Sequence, residues 1–172
     1  MKWVEIVTEL MEISATTAPK SKGENFVRFK VIEGNGLKEL GKAMIDYGEK
    51  KKKKDFDRDG KNIINSAAVV LIGLKEAKPL GLNCGACGYK DCRSISEHTL
   101  EDMEFRGPIC AFRLIDMGIA IGSAVKTASM FNVDNRIMYR VGAVARDSGL
   151  IDWEYALGIP LSVSGKNIFF DR

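Results

Sequence analysis

The residues whose types and spacing could do chemistry are the four cysteines, arranged Cys84-x2-Cys87-x4-Cys92-x17-Cys110. Three thiols on one short stretch, joined by a fourth from further along, can surround a compact centre. Four thiolates suit an iron–sulfur cluster and also tetrahedral zinc. Gly85 follows Cys84 and Gly88 follows Cys87. Glycines there let the loop fold tightly and turn backbone N–H groups toward the sulfurs, which helps set a cluster's potential. Pro108, two residues before Cys110, stiffens the approach of the last thiol. Zinc modules built from cysteine pairs show two Cys-x2-Cys halves, and here there is one. The pattern therefore predicts an iron–sulfur centre, with structural zinc and a thiol redox pair as the alternatives.

Other chemically suggestive stretches read more plainly. Asp55-Phe-Asp57-Arg-Asp59-Gly60 matches the first half of a calcium loop, but the twelfth position is Ser66 rather than a bidentate glutamate. An exposed loop with Asx-type turns is the expectation. Lys50 to Lys54 is a run of five lysines. It reads as a solvated, mobile loop, with docking of an acidic electron donor as the alternative. His98 is the single histidine and sits beside Glu97. It reads as a solvated helix residue rather than a cluster neighbour or zinc ligand.

The elements that must position the cysteines follow from periodicity. Val4, Val7, Leu10 and Met11 fall on one face of a first helix that ends before Pro19. Phe26 to Ile32 alternates as a strand, and Gly34-Asn35-Gly36 is a turn signal. Leu37 to Tyr47 is a second amphipathic helix, and Ala67 to Gly73 is a continuous apolar run suited to a buried strand. Leu114 to Met130 predicts a long buried helix, in which Gly118 and Gly122 would let another backbone approach, within the chain or from a second subunit. Ile137 to Asp147 reads as a helix and Tyr155 to Pro160 as a last strand ending at the proline. Helices interleaved with strands predict one α/β (α+β) domain in three layers over residues 1–172, with 81–112 as the cysteine segment within it.

Composition bounds the setting. With 26 basic against 23 acidic residues the net charge is +3, too small to imply a nucleic-acid partner. Glu5, Glu9 and Glu12 exclude a secretory h-region at the start, and Asp116 and Lys126 interrupt the longest apolar stretch. A cytoplasmic, reducing location with no membrane partner is expected. There, clustered cysteines are metal ligands or redox groups more often than a structural disulfide.

Three resemblances add to this reading. Cys84-Gly-Ala-Cys87-Gly-Tyr-Lys-Asp-Cys92 followed by Cys110 resembles the four-cysteine [4Fe-4S] module of corrinoid iron–sulfur proteins and of electron-transport B subunits. That resemblance implies one iron on each cysteine and no open coordination site, so electron transfer or structural support rather than Lewis-acid chemistry. Thr17-Ala-Pro-Lys20, Leu82-Asn-Cys-Gly85, Asp116 to Ala124, Val133 to Met138 and Gly158 to Arg172 resemble a prokaryotic family described only as ferredoxin-domain-containing proteins. Ala15-Thr-Thr-Ala18-Pro19, Asn25-Phe26-Val27 and Leu37-Lys-Glu-Leu40 resemble the opening of flavin-dependent nitroreductases; Asp116 to Met130 is similar to that family's central helix and Ala156 to Pro160 to its last strand. The nitroreductase resemblance implies a homodimer with FMN at the interface, contacted by Pro19, Lys20, Ser21, Asn25 and Lys166. Together these predict a nitroreductase-like redox protein that passes electrons through one [4Fe-4S] cluster to a partner protein or small-molecule acceptor. A non-catalytic carrier or assembly module with a structural cluster, and a structural zinc protein acting by contacts, are the alternatives.

Overall fold

The computed structural model describes residues 1–98 and 101–170. Helix α1 (Lys2–Thr17) leads through a short 3-10 turn at Ser21–Gly23 to strand β1 (Val27–Ile32). Helices α2 (Asn35–Lys51) and α3 (Phe56–Ile64) precede β2 (Ala68–Leu74). The cysteine segment carries α4 (Cys92–Glu97) and a two-strand ribbon, β3 (Glu101–Asp102) and β4 (Arg106–Gly107). Helix α5 (Ala111–Met130), β5 (Asp134–Asn135), α6 (Tyr139–Asp147) and β6 (Tyr155–Ser162) complete the chain.

The main sheet runs β1-β2-β6-β5, antiparallel throughout. Every residue of β2 is buried, and its side chains alternate between two cores. Ala68, Val70, Ile72 and Leu74 face α1 and α5, while Val69 and Leu71 face α2, α3 and α6. A strand covered on both faces needs apolar residues at every position, which is the run seen in the sequence. The architecture is the mixed α/β, three-layer arrangement expected. On the second face helix and sheet touch without room for a side chain: a Cβ on Gly142 of α6 would lie 1.8 Å from the Ala156 carbonyl oxygen, and one on Gly158 would lie 2.2 Å from Val141.

Four local expectations change. Residues 55–60 are the start of α3 rather than a loop of Asx turns. Phe56 and Ile63 bury one face of that helix, and buried Asp59 is held by Arg58 at 2.7 Å and Arg140 at 2.9 Å. The lysine run is part helix, since α2 extends through Lys51, where cations favour the C-terminal end of the helix dipole. Strand β6 continues past Pro160. Gly158 exchanges hydrogen bonds with Met138, so the nitrogen of residue 160 points to the same side. There β5 has already ended at Asn135, and the missing N–H breaks no ladder bond. Finally, Gly118 and Gly122 are exposed, and a Cβ at either meets nothing within 4 Å. Among the described residues nothing uses their smallness.

Candidate functional site

The cysteine segment leaves the sheet after β2 and returns at α5. Its loop bends through left-handed positions at Gly81, Asn83, Gly85 and Gly88. Asn83 tolerates that conformation and uses it. Its side-chain oxygen accepts from the Cys92 amide at 2.9 Å, and its own amide donates toward the Cys92 sulfur at 3.4 Å. The Gly88 amide donates to the Gly85 carbonyl at 2.9 Å and closes the turn between Cys84 and Cys87. Asp91 caps α4 by accepting from the amide and hydroxyl of Ser94 at 2.8 and 2.9 Å. Those bonds hold its carboxyl below the usual carboxylate range, the backbone bond most of all.

All four cysteines line one small pocket, with Leu80, Leu82, Ile95 and Phe112 as apolar neighbours. No disulfide joins them. Cys110 is buried and immediately precedes the first turn of the 20-residue α5. Cys84 is exposed at the pocket mouth. The void between the side chains is only about 10 Å³. Among the described residues no three His, Cys, Asp or Glu side chains are already drawn together around a single ion. The void as it stands is smaller than a multi-atom centre. The loop carrying Cys84 and Cys87 is largely exposed and glycine-rich. An all-thiol donor set, a backbone donor aimed at sulfur and an apolar lining fit an iron–sulfur group.

Beneath this pocket lies a buried ionic hub that sequence reasoning missed. The Arg113 side chain is fully buried. It donates to the Lys78 carbonyl at 2.9 Å, the Ser21 carbonyl at 3.1 Å and Asp116 at 3.3 Å, and it also pairs with Glu24. Its guanidinium lies 4.6 Å from the Phe26 ring centroid. Asp116 also accepts from the amide and hydroxyl of Ser21, both at 2.8 Å. The hub thus ties the loop after α1, the chain entering the cysteine segment and the helix leaving it. Arg113 and Asp116 at i,i+3 in an otherwise apolar helix were the available signal.

The residues implied as flavin contacts are busy within the chain. The Lys20 ammonium donates to the carbonyls of Ala15, Thr16 and Ala18 at 2.8 to 2.9 Å, closing the end of α1. Burial lowers its pKa, against the opposing pull of Asp116. Ser21 is committed to Asp116, and the Asn25 side chain accepts from the Val27 amide at 3.0 Å. Pro19 is exposed on the same loop, and Lys166 is exposed in the segment after β6. His98 ends α4, exposed, with its ring edge-on to Tyr89 at 5.5 Å.

A family model described as "Uncharacterized protein containing a ferredoxin domain (DUF2148)" matches residues 106–172. An uncharacterized protein of Archaeoglobus fulgidus is 43% identical over 169 residues, covering 98% of this chain and 91% of the relative. The chain belongs to this ferredoxin-domain family. Its members' name points to redox chemistry, although the matched region includes Cys110 and not the other three cysteines. Solved structures place the ferredoxin-domain protein on the nitroreductase fold. The nitroreductase CinD of Lactococcus lactis in complex with chloramphenicol aligns with TM-score 0.62 at 14% identity, covering 97% of this chain and 84% of that one. A nitroreductase of Desulfovibrio desulfuricans in complex with FMN aligns at 0.60 and 11% identity, covering 98% and 78%. NfnB of Mycobacterium smegmatis in complex with NADPH aligns at 0.61 and 9% identity, covering 94% and 78%. Among the described residues no helix is long and apolar enough to cross a membrane.

Proposed function

We propose that this protein is a cytoplasmic electron-transfer protein that holds one [4Fe-4S] cluster on Cys84, Cys87, Cys92 and Cys110. The observation that carries the proposal is the convergence of the four cysteines on one apolar pocket, with the Asn83 amide directed at the Cys92 sulfur. Such a group supplies one-electron transfer when bound. The chain's own part is to hold and shield it. Cys110 offers a buried sulfur at the start of α5, and Ile95 and Phe112 line the inner side with apolar surface. Asn83 orients Cys92, while the Arg113 hub fixes both ends of the segment.

The proposal treats residues 1–172 as a single domain and 81–112 as its cluster-binding segment. It extends to a homodimer with FMN at the interface and a partner protein or small molecule as acceptor. Two observations support that extension. The fold is shared with a nitroreductase solved with FMN, and α5 presents an open face bearing Ile115, Gly118, Ile119 and Gly122. Pro19, Lys20, Ser21, Asn25 and Lys166 are the proposed contacts; Lys20 and Ser21 would exchange their present partners for the flavin.

The test is purification without oxygen, with iron and acid-labile sulfide assayed beside the visible spectrum. A broad brown absorbance that dithionite bleaches supports the cluster, and a flavin doublet above it supports FMN. Zinc without sulfide, or full retention of iron in Cys87→Ser, overturns the four-thiolate assignment.

A further inference from the structure

The rim of the cysteine pocket carries lysines that the site described above leaves unused. Lys22 adopts a left-handed backbone conformation (φ 58°), which costs a non-glycine residue energy. Its ammonium donates to the Leu80 carbonyl at 2.7 Å, and Leu80 lines the pocket. A Cβ on Gly81 would lie 3.8 Å from the same ammonium. Lys78 precedes the lining residue Pro79, and Lys90 stands between the lining residues Tyr89 and Asp91. Both lysines are exposed. Among the described residues none of these three ammoniums pairs with a carboxylate.

The carboxylates beside them are engaged elsewhere. Asp91 caps α4 through Ser94, and Glu97 holds Arg93 at 2.6 Å. In the hub beneath, Glu24 and Asp116 meet Arg113, and Asp116 also acts on Lys20. A divalent cation, or an oxidised [4Fe-4S] core, held by four thiolates carries two net negative charges. The charge of such a centre outweighs that of any one side chain around it. A lysine ammonium is a compact point charge on a flexible stem, suited to facing that charge without ligating the metal.

We propose that Lys22, Lys78 and Lys90 form a cationic collar that stabilises a doubly negative four-thiolate centre in the pocket. They are positioning residues, which act on the centre through charge and not through bonds to it. The collar rests on the four-cysteine pocket of the reading above, but it serves zinc and an iron–sulfur core alike. It therefore stands apart from the redox part of that reading. With an iron–sulfur core, uptake of one electron from a reductant adds a further negative charge. The collar then favours the reduced form and raises the reduction potential.

The test titrates the metal-free, thiol-reduced full chain with cobalt(II), read by the thiolate-to-cobalt charge-transfer band. The Lys78 and Lys90 side chains make no hydrogen bond among the described residues, so reversing their charge disturbs no contact of the fold. Lys78→Glu and Lys90→Glu should each weaken cobalt binding about threefold at about 0.1 M salt. The loss should close at about 0.5 M salt, and Lys90→Arg should bind as the parent does. Lys42→Glu makes the same change of charge on α2, across the sheet from α5, and should leave binding unchanged. In iron-loaded protein each reversal at the collar should shift the one-electron reduction equilibrium about threefold, lowering the potential by about 30 mV. Cobalt affinities equal to that of Lys42→Glu, or a loss that survives high salt, overturn the collar. Absence of the charge-transfer band overturns the collar and the four-thiolate pocket together. Protein purified with zinc and no sulfide that shows the cobalt effect supports the collar and overturns the iron–sulfur reading. Iron-loaded protein whose variants keep the parent's cobalt affinity and potential overturns the collar alone.

Discussion

Replacing Arg113 by methionine keeps most of the side-chain volume and removes the charge. The Lys78 and Ser21 carbonyls then lose their donor, and the 4%-exposed Asp116 loses its cation. Breaking a buried ion pair from one side costs about 3–5 kcal/mol, because the remaining charge stays buried. Asp116 keeps the two Ser21 donors, which places the expected loss toward the lower end. With a urea dependence of about 2 kcal/mol per molar, the unfolding midpoint should fall by about 1.5 M. The double variant Arg113→Met/Asp116→Asn should recover part of this, since no uncompensated charge is left. The assay is urea unfolding followed by far-ultraviolet circular dichroism, with iron content measured in parallel. A midpoint within about 0.3 M of the parent at unchanged slope, together with undiminished iron, would refute the assignment of Arg113 as the tie between scaffold and cysteine segment.

Gly142→Ala drives a methyl group into the Ala156 carbonyl and should cost about 3 kcal/mol or more, read as a lowered melting temperature. Asn83→Ala removes the bond to the Cys92 amide and places a less tolerant residue at φ 49°; it should weaken the loop by about 1 kcal/mol and speed loss of iron to a chelator. Asp91 has a folded pKa below its unfolded value, so its capping contribution is complete above the ordinary carboxylate range and is lost as pH falls through the depressed value. Acid titration should therefore unwind α4 in the parent only below that range, whereas in Asp91→Ala the helix signal of that segment should already be reduced at neutral pH, as amide exchange would show.

Periodicity carried most of the scaffold. The i, i+3, i+7 pattern of Leu37, Leu40 and Met44 marks one helix face, and the short, β-branched apolar run of β2 suits a strand covered on both faces; both occur. The start of α3 was misread because alternating aspartates resemble a turn-rich loop until Arg140, 81 positions away, supplies the charge that lets Asp59 be buried. Pro160 looked like a stop because a strand's tolerance for proline depends on which neighbour its nitrogen faces. In the site, cysteine spacing pointed to the pocket that the four thiols line, since three of them lie close in sequence. Arg113 joins segments far apart in the chain, and local pattern carries no record of such a meeting.

The bond from Arg113 to the Lys78 carbonyl has a topological consequence. It closes the neck of the cysteine segment, so the roughly thirty residues between are a loop whose ends the scaffold already holds. Closure entropy grows only with the logarithm of loop length, at about 0.6 kcal/mol per doubling. Shortening the segment to eight residues, or grafting a different one of similar span, thus shifts the entropic term by only about 1 kcal/mol. The sheet beneath is to that extent a socket, and what is plugged into it can change in evolution faster than the socket itself.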